Sequence, residues 1–92
     1  MMKRRSQAKI LYDILRAIVA SGEKPIFTRI LYSSNLSTNL LKEYLSYLVY
    51  NGLIEKVDDD RKVYYRITEK GRQMLLEFLK INRIAKAFGI PL

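Results

Sequence analysis

The sequence predicts a mainly α fold with one small β component, ordered helix, helix, helix, strand, strand, helix. Three observations carry the prediction. Apolar residues recur at helical spacing along separate stretches early, midway and late in the chain. After Gly52 the period changes to two short runs rich in apolar and β-branched residues, separated by an acidic centre. At Thr68-Glu69 a helical pattern opens again. The chain has 92 residues, one domain's worth, and a chain this short typically buries about 60 to 70% of the surface its unfolded form exposes. One core is therefore expected.

In helix one, Ile10, Leu11, Ile14, Leu15, Ile18 and Val19 share one apolar face. Ser6 is placed to cap its start, and Ser21-Gly22 marks its end, since glycine reaches the left-handed conformation that closes a helix. Glu23-Lys24-Pro25 reads as a loop, and Thr28 as the cap of a short second helix to about Ser33 that buries Ile30 and Leu31. Ser33, Ser34 and Asn35 form a polar turn. Leu36, Leu40, Leu41, Tyr44, Leu45, Leu48 and Val49 then recur with helical spacing up to Asn51-Gly52. Two helices joined by so short a turn suggest a helix-turn-helix.

Leu53 to Val57 and Lys62 to Ile67 read as the strands of a hairpin, with Asp58, Asp59, Asp60 and Arg61 at its tip. A Thr68 cap, with Glu69 in the first turn where the helix dipole favours negative charge, opens a last helix. That helix runs to roughly Ala87 or Phe88, and Gly89 and Pro91 stop it. The order is that of a winged helix-turn-helix with a C-terminal extension. Residues 1–68 are read as a basic arm plus the winged-helix DNA-binding domain, and 69–92 as a C-terminal dimerisation helix.

Charge points to the partner. Seventeen Lys and Arg against 9 Asp and Glu give a formal charge of +8, enough to attract a polyanion. Nucleic acid leads, ahead of an anionic membrane surface. The sequence holds no run of about 18 apolar residues, and Lys3, Arg4 and Arg5 precede a segment broken by Asp13 and Arg16, unlike a secretion signal. The expected location is cytoplasmic and nucleoid-associated. With no Cys and no His, disulfides, thiolate metal sites and the usual general base are all missing. Neither a Gly-rich phosphate loop nor an evident convergent pair of catalytic groups is present, so the expectation is a non-enzyme with no cofactor and no small-molecule substrate.

Three stretches resemble the small archaeal 10a-type winged-helix proteins: Thr28-Arg29-Ile30-Leu31-Tyr32 with Asn35-Leu36-Ser37, Tyr44 to Ile54 ending in Asn51-Gly52-Leu53-Ile54, and Tyr65-Arg66-Ile67-Thr68-Glu69-Lys70-Gly71. The resemblance spans about Lys9 to Ile81. The Gly-Leu-Ile and Thr-Glu-Lys-Gly pieces are shared by many winged-helix regulators, whereas the first stretch is more particular to this group. It implies a basic DNA-binding protein of a thermophilic archaeon, or of one of its viruses or plasmids, that dimerises through its last helix and acts in chromatin or regulation. The sequence departs from that family in its acidic hairpin tip and in a last helix that ends early, at Gly89.

The predicted reading surface is the outer face of helix three, with Ser37, Thr38, Asn39, Lys42, Glu43 and Ser46 opposite the buried leucines. Asn39 can pair with adenine, Lys42 can reach guanine or a phosphate, and Ser37 and Thr38 can bond phosphate near the helix N-terminus. The bland alternative is a solvated face with Ser37 as N-cap. Arg29 is read as a backbone-phosphate contact or a plain surface charge, and Tyr32 as another such contact or as half-buried against helix three. At the tip, Asp58 to Asp60 repel phosphate at close range, so either the tip points away from DNA or Arg61 and Lys62 compensate. The run lacks the spaced ligands of a calcium loop and reads as a solvated turn. Lys56, Lys62 and Arg66 along the strands are alternative backbone contacts. Lys3, Arg4 and Arg5 form a basic arm that enters a minor groove, neutralises phosphates or stays solvated.

In the last helix, Met74, Phe78, Ile81, Ala85 and Phe88 are spaced 4, 3, 4 and 3, the pattern of a coiled-coil seam. The stripe either joins two copies into a homodimer or packs back onto the chain's own core, a role that Leu75 and Leu79 on the adjoining side can already fill. The leading function is double-stranded DNA binding by a homodimer, sequence-specific or chromatin-type, in transcription regulation. The alternative is a protein-interaction module presenting Tyr47, Tyr50 and the acidic tip. RNA binding is disfavoured, because Tyr64 and Tyr65 are too few for an aromatic platform.

Overall fold

The computed structural model describes residues 5–91 and shows α1 (Gln7–Ala20), α2 (Phe27–Ser34), α3 (Thr38–Tyr50), β1 (Ile54–Asp58), β2 (Val63–Ile67) and α4 (Glu69–Ala87). The order α-α-α-β-β-α is the one the sequence predicts. Ser6 caps α1, its Oγ accepting the amide of Lys9 at 3.1 Å. Ile14, Leu15 and Ile18 face a core completed by Ile30, Leu41, Leu45, Leu48, Leu53, Ile54 and Ile67. Each fully buried Leu or Ile contributes about 1.5 to 3 kcal/mol of transfer free energy. Val19, expected on the same face as Ile18, lies at the margin and is 53% exposed.

The start of α2 differs from expectation. Its N-cap is Ile26, with no side-chain cap, and Thr28 sits inside the first turn. The loop before it explains why. The carbonyl of Pro25 accepts the Tyr65 amide at 2.9 Å, so the chain is drawn out along the edge of β2 and turns helical only after Ile26. This contact also covers a sheet edge that would otherwise leave a backbone donor unpaired. At its other end α2 continues through Ser34, whose buried hydroxyl donates to the Ile30 carbonyl at 2.7 Å. Asn35 then adopts the left-handed conformation (φ 55°, ψ 45°), which Asn tolerates better than most residues.

α3 starts at Thr38, so Leu36 lies in the turn, half-buried against the core. Ser37 is its N-cap and accepts the Leu40 amide at 3.2 Å. The hairpin is antiparallel and pairs Ile54 with Ile67, Lys56 with Tyr65 and Asp58 with Val63. Each strand starts one residue later than predicted, where a flanking carbonyl has another donor: Thr68 N–H bonds Leu53 O at 3.1 Å, and Asp59 N–H bonds Lys62 O at 3.2 Å.

The Thr68-Glu69-Lys70-Gly71 segment is a clamp. Thr68 accepts the Gly71 amide at 3.1 Å as the cap of α4 and donates to the Gly52 carbonyl at 2.6 Å. Lys70 donates to the Asn51 carbonyl at 2.7 Å, closing the end of α3. At its far end α4 terminates in a Schellman motif around Gly89 (φ 71°), with Ile90 N–H bonding Ala85 O and Gly89 N–H bonding Lys86 O.

Candidate nucleic-acid interface

The turn and α3 set the site. With Leu41, Leu45 and Leu48 buried, Thr38, Asn39, Lys42, Glu43 and Ser46 are all exposed on the outer face. Ser37 spends a lone pair on the helix cap, which leaves its hydroxyl proton free to donate. Among the described residues no carboxylate lies in ion-pair reach of Lys42. The helix N-terminus adds its unpaired amides and partial positive charge.

Beside this face runs a cleft of about 460 Å³ lined by Phe27, Lys42, Ser46, Lys56, Val63 and Tyr65. It brings α3, the first residue of α2 and the hairpin together. Lys56 belongs to this cleft, although the sequence alone favours the charges at the tip over it. Period-two alternation from buried Ile54 is the available signal, since it places Lys56 on the same face of the strand.

The tip is self-contained. Asp59 accepts the amides of Arg61 (3.2 Å) and Lys62 (3.0 Å) and pairs with Lys24 at 3.1 Å, while Asp58 accepts the Asp60 amide at 3.1 Å. Lys24 and these amides hold the Asp59 carboxyl below the usual carboxylate range, and Asp59 in turn raises the Lys24 ammonium. Arg61 and Lys62 are exposed in this loop among the three carboxylates. On the opposite strand face Arg66 is bonded to Glu55 at 2.7 Å, which raises its pKa further.

Of the basic arm, Lys3 and Arg4 lie outside the described residues. Arg5 is drawn into the fold: its guanidinium bonds Asp13 at 2.9 Å and the carbonyls of Ser34 (2.8 Å) and Asn35 (2.9 Å), capping the C-terminal end of α2. Arg29 is exposed on α2. So is Tyr32, at 81%, which removes the half-buried alternative for that residue.

The stripe on α4 divides. Phe78 stacks on Tyr12 of its own chain, with ring centroids 5.2 Å apart; Met74 packs against the core; Ala85 is 6% exposed. Ile81 and Phe88 remain exposed, as do Ile84 and, beyond the helix end, Ile90. Among the described residues no group of His, Cys, Asp or Glu could hold a metal ion, and no helix is long and apolar enough to cross a membrane.

Two short helices around a polar turn, followed by a two-stranded wing, are an arrangement found in known proteins. A family model described as winged helix-turn-helix matches residues 4–86. The chain belongs to the winged helix-turn-helix family. An uncharacterised protein of Methanocaldococcus jannaschii is 35% identical to this winged helix-turn-helix chain over 81 residues, covering 88% of it and 77% of the relative. The crystal structure of Sso10a-2, a DNA-binding protein from Sulfolobus solfataricus, superposes with a TM-score of 0.80 at 26% identity, over 91% of this chain and 85% of that one. The 10a-type likeness read from the sequence therefore stands. A MarR family transcriptional regulator from Silicibacter pomeroyi shares the fold, with a TM-score of 0.68 at 19% identity over 85% of this chain and 56% of that one.

Proposed function

We propose that this protein binds double-stranded DNA as a homodimer and acts in transcription regulation or chromatin organisation. The observation that carries the reading is the outer face of α3. Thr38, Asn39, Lys42 and Ser46 are exposed there, and within the described residues their side chains form no hydrogen bond or ion pair that would occupy them, on a chain of net charge +8. Asn39 and Lys42 sit in the first turns of the helix, the part that meets base edges when such a helix enters a major groove. Ser37, Thr38 and Arg29 supply contacts to the phosphates on either side. The DNA-binding description of Sso10a-2 supports this reading.

Association is supported by the exposed apolar side chains at the C-terminal end of α4 and just beyond it, where Ile81, Ile84, Phe88 and Ile90 are each more than half exposed. A two-fold partner is the commonest way to cover such a surface. It would also set two copies of α3 against two half-sites.

Fluorescence anisotropy of a labelled random-sequence duplex, titrated at low and moderate salt, tests DNA binding. The expected result is tight binding at low salt that weakens steeply as salt rises. Absence of binding to any duplex, random or selected, would defeat the reading. A second reading, a protein-docking module, draws on Tyr32 and Tyr50, which are 81% and 90% exposed. Lys42→Glu separates the two, because charge reversal on α3 weakens DNA binding and leaves docking elsewhere untouched.

A further inference from the structure

We propose that the hairpin grips DNA through Lys56 on β1, which works with Lys42 across the cleft on one stretch of phosphate backbone, while the acidic tip stands off the duplex. The inference rests on the DNA-binding reading of α3 and adds the contact that positions that helix.

The distribution of charge in the wing leads there. The hairpin and the loop beside it carry the cations Lys24, Lys56, Arg61, Lys62 and Arg66, and these are not equivalent. Lys24 is paired with Asp59 at 3.1 Å and Arg66 with Glu55 at 2.7 Å, so both charges are largely answered within the protein. Arg61 and Lys62 share a loop with Asp58, Asp59 and Asp60, and with Lys24 held on Asp59 the three carboxylates there face three cations. A phosphate approaching that loop meets no net positive charge. Lys56 differs, because among the described residues it has no ion-pair partner and it lies on β1, outside that loop.

Geometry supplies the rest. Lys56 and Lys42 line the same cleft, together with Ser46 and Tyr65, so two lysines without ion-pair partners and two hydroxyl-bearing residues border one trough at the flank of α3. When a helix lies in the major groove the two sugar-phosphate backbones run along its flanks. The backbone on the hairpin side passes over this trough. Asp58 lies two residues further along the same strand face, about 7 Å at the rise of a β-strand, and its carboxylate is turned back onto the Asp60 amide. The tip holds its own shape through the Asp59 bonds to Arg61, Lys62 and Lys24. A rigid acidic loop next to the grip keeps the wing tip from following the backbone further and limits the phosphate contacts each copy makes.

The experiment is a salt series of anisotropy titrations on the full chain, comparing wild type with Lys56→Gln, Lys42→Gln and the double variant Arg61→Gln/Lys62→Gln. Removing one cation that neutralises a phosphate should flatten the slope of log affinity against log salt by about 0.9. Between 50 and 200 mM salt this makes the fall in affinity about 3.5-fold smaller than for wild type. Lys56→Gln and Lys42→Gln should each show this change, and the tip variant should keep the wild-type slope. All four side chains are exposed, so melting curves should coincide and exclude misfolding as the cause. A wild-type slope for Lys56→Gln, or a flattened slope for the tip variant, overturns the proposal while leaving DNA binding by α3 intact. If the wild type binds no duplex at low salt, the DNA-binding reading fails and this grip with it.

Discussion

Gly71, in the first turn of α4, lies directly against the carbonyl of Leu53 at the entry to β1. A Cβ at this position would overlap that oxygen and press on Cγ1 of Ile67. The oxygen cannot retreat freely, because it already accepts the Thr68 amide at 3.1 Å. Gly71→Ala should therefore destabilise the protein by about 1 to 3 kcal/mol, as overpacking typically does. In a domain of this size that corresponds to a melting point lower by roughly 4 to 8 °C per kcal/mol. Thermal unfolding followed by circular dichroism checks it, and an unchanged melting point would show that α4 can shift away from the hairpin at no cost.

Arg5 ties the start of the chain to the helix-turn-helix. Its guanidinium satisfies two carbonyls at the end of α2 and pairs with Asp13, with the side chain about 30% exposed. Arg5→Ala should cost about 1 to 2 kcal/mol, the range for charge-assisted bonds trimmed for partial solvent access. Because the group is occupied within the protein, the slope of log affinity against log salt should not change. A flattened slope with unaltered stability would restore Arg5 to the DNA-contacting arm.

Phe78 and Phe88 separate folding from the proposed association. Phe78 stacks on Tyr12 and joins α4 to α1, whereas Phe88 is 77% exposed. Phe78→Ala should lower stability by about 2 kcal/mol, less than the roughly 3 to 5 kcal/mol of a fully buried Phe, and at every protein concentration. Phe88→Ala should leave the low-concentration melting point alone and weaken self-association in sedimentation equilibrium. The opposite pattern would place Phe78 in the intermolecular seam.

The Lys24 to Asp59 pair fixes the tip electrostatically, and its pH window follows from the two shifts. The folded pKa of Asp59 is lowered, so its contribution is complete above the ordinary carboxylate range and fades as pH falls through the folded value. The folded pKa of Lys24 is raised, so its contribution holds below the ordinary lysine range and is lost as pH rises through the folded value. Carboxyl-detected NMR titration should find Asp59 titrating below a free aspartate. Lys24→Met should move it upward, with the Lys62 and Arg61 amides still holding part of the depression. No movement would mean that the amides alone set it.

The sequence by itself determined the element order, the caps at Ser6 and Thr68, and the exposed face of α3. Those features follow from residue spacing and from bonds reaching only three or four positions along the chain. Even locally it misplaces the start of α2, because the donor that holds the Pro25 carbonyl just before the extended Ile26 is Tyr65, on the far strand of the hairpin. The same limit explains Arg5, whose partners Ser34 and Asn35 are remote in sequence, and the α4 stripe, where Phe78 finds Tyr12 in its own chain. Which cations stay unanswered was also decided only in three dimensions. Lys24 and Arg66 meet carboxylates across the loop and across the hairpin, while Lys56 is carried to the cleft beside Lys42. Helical spacing and capping are local and can be read from neighbours, whereas charge pairing and face-to-face packing depend on how the chain folds back on itself.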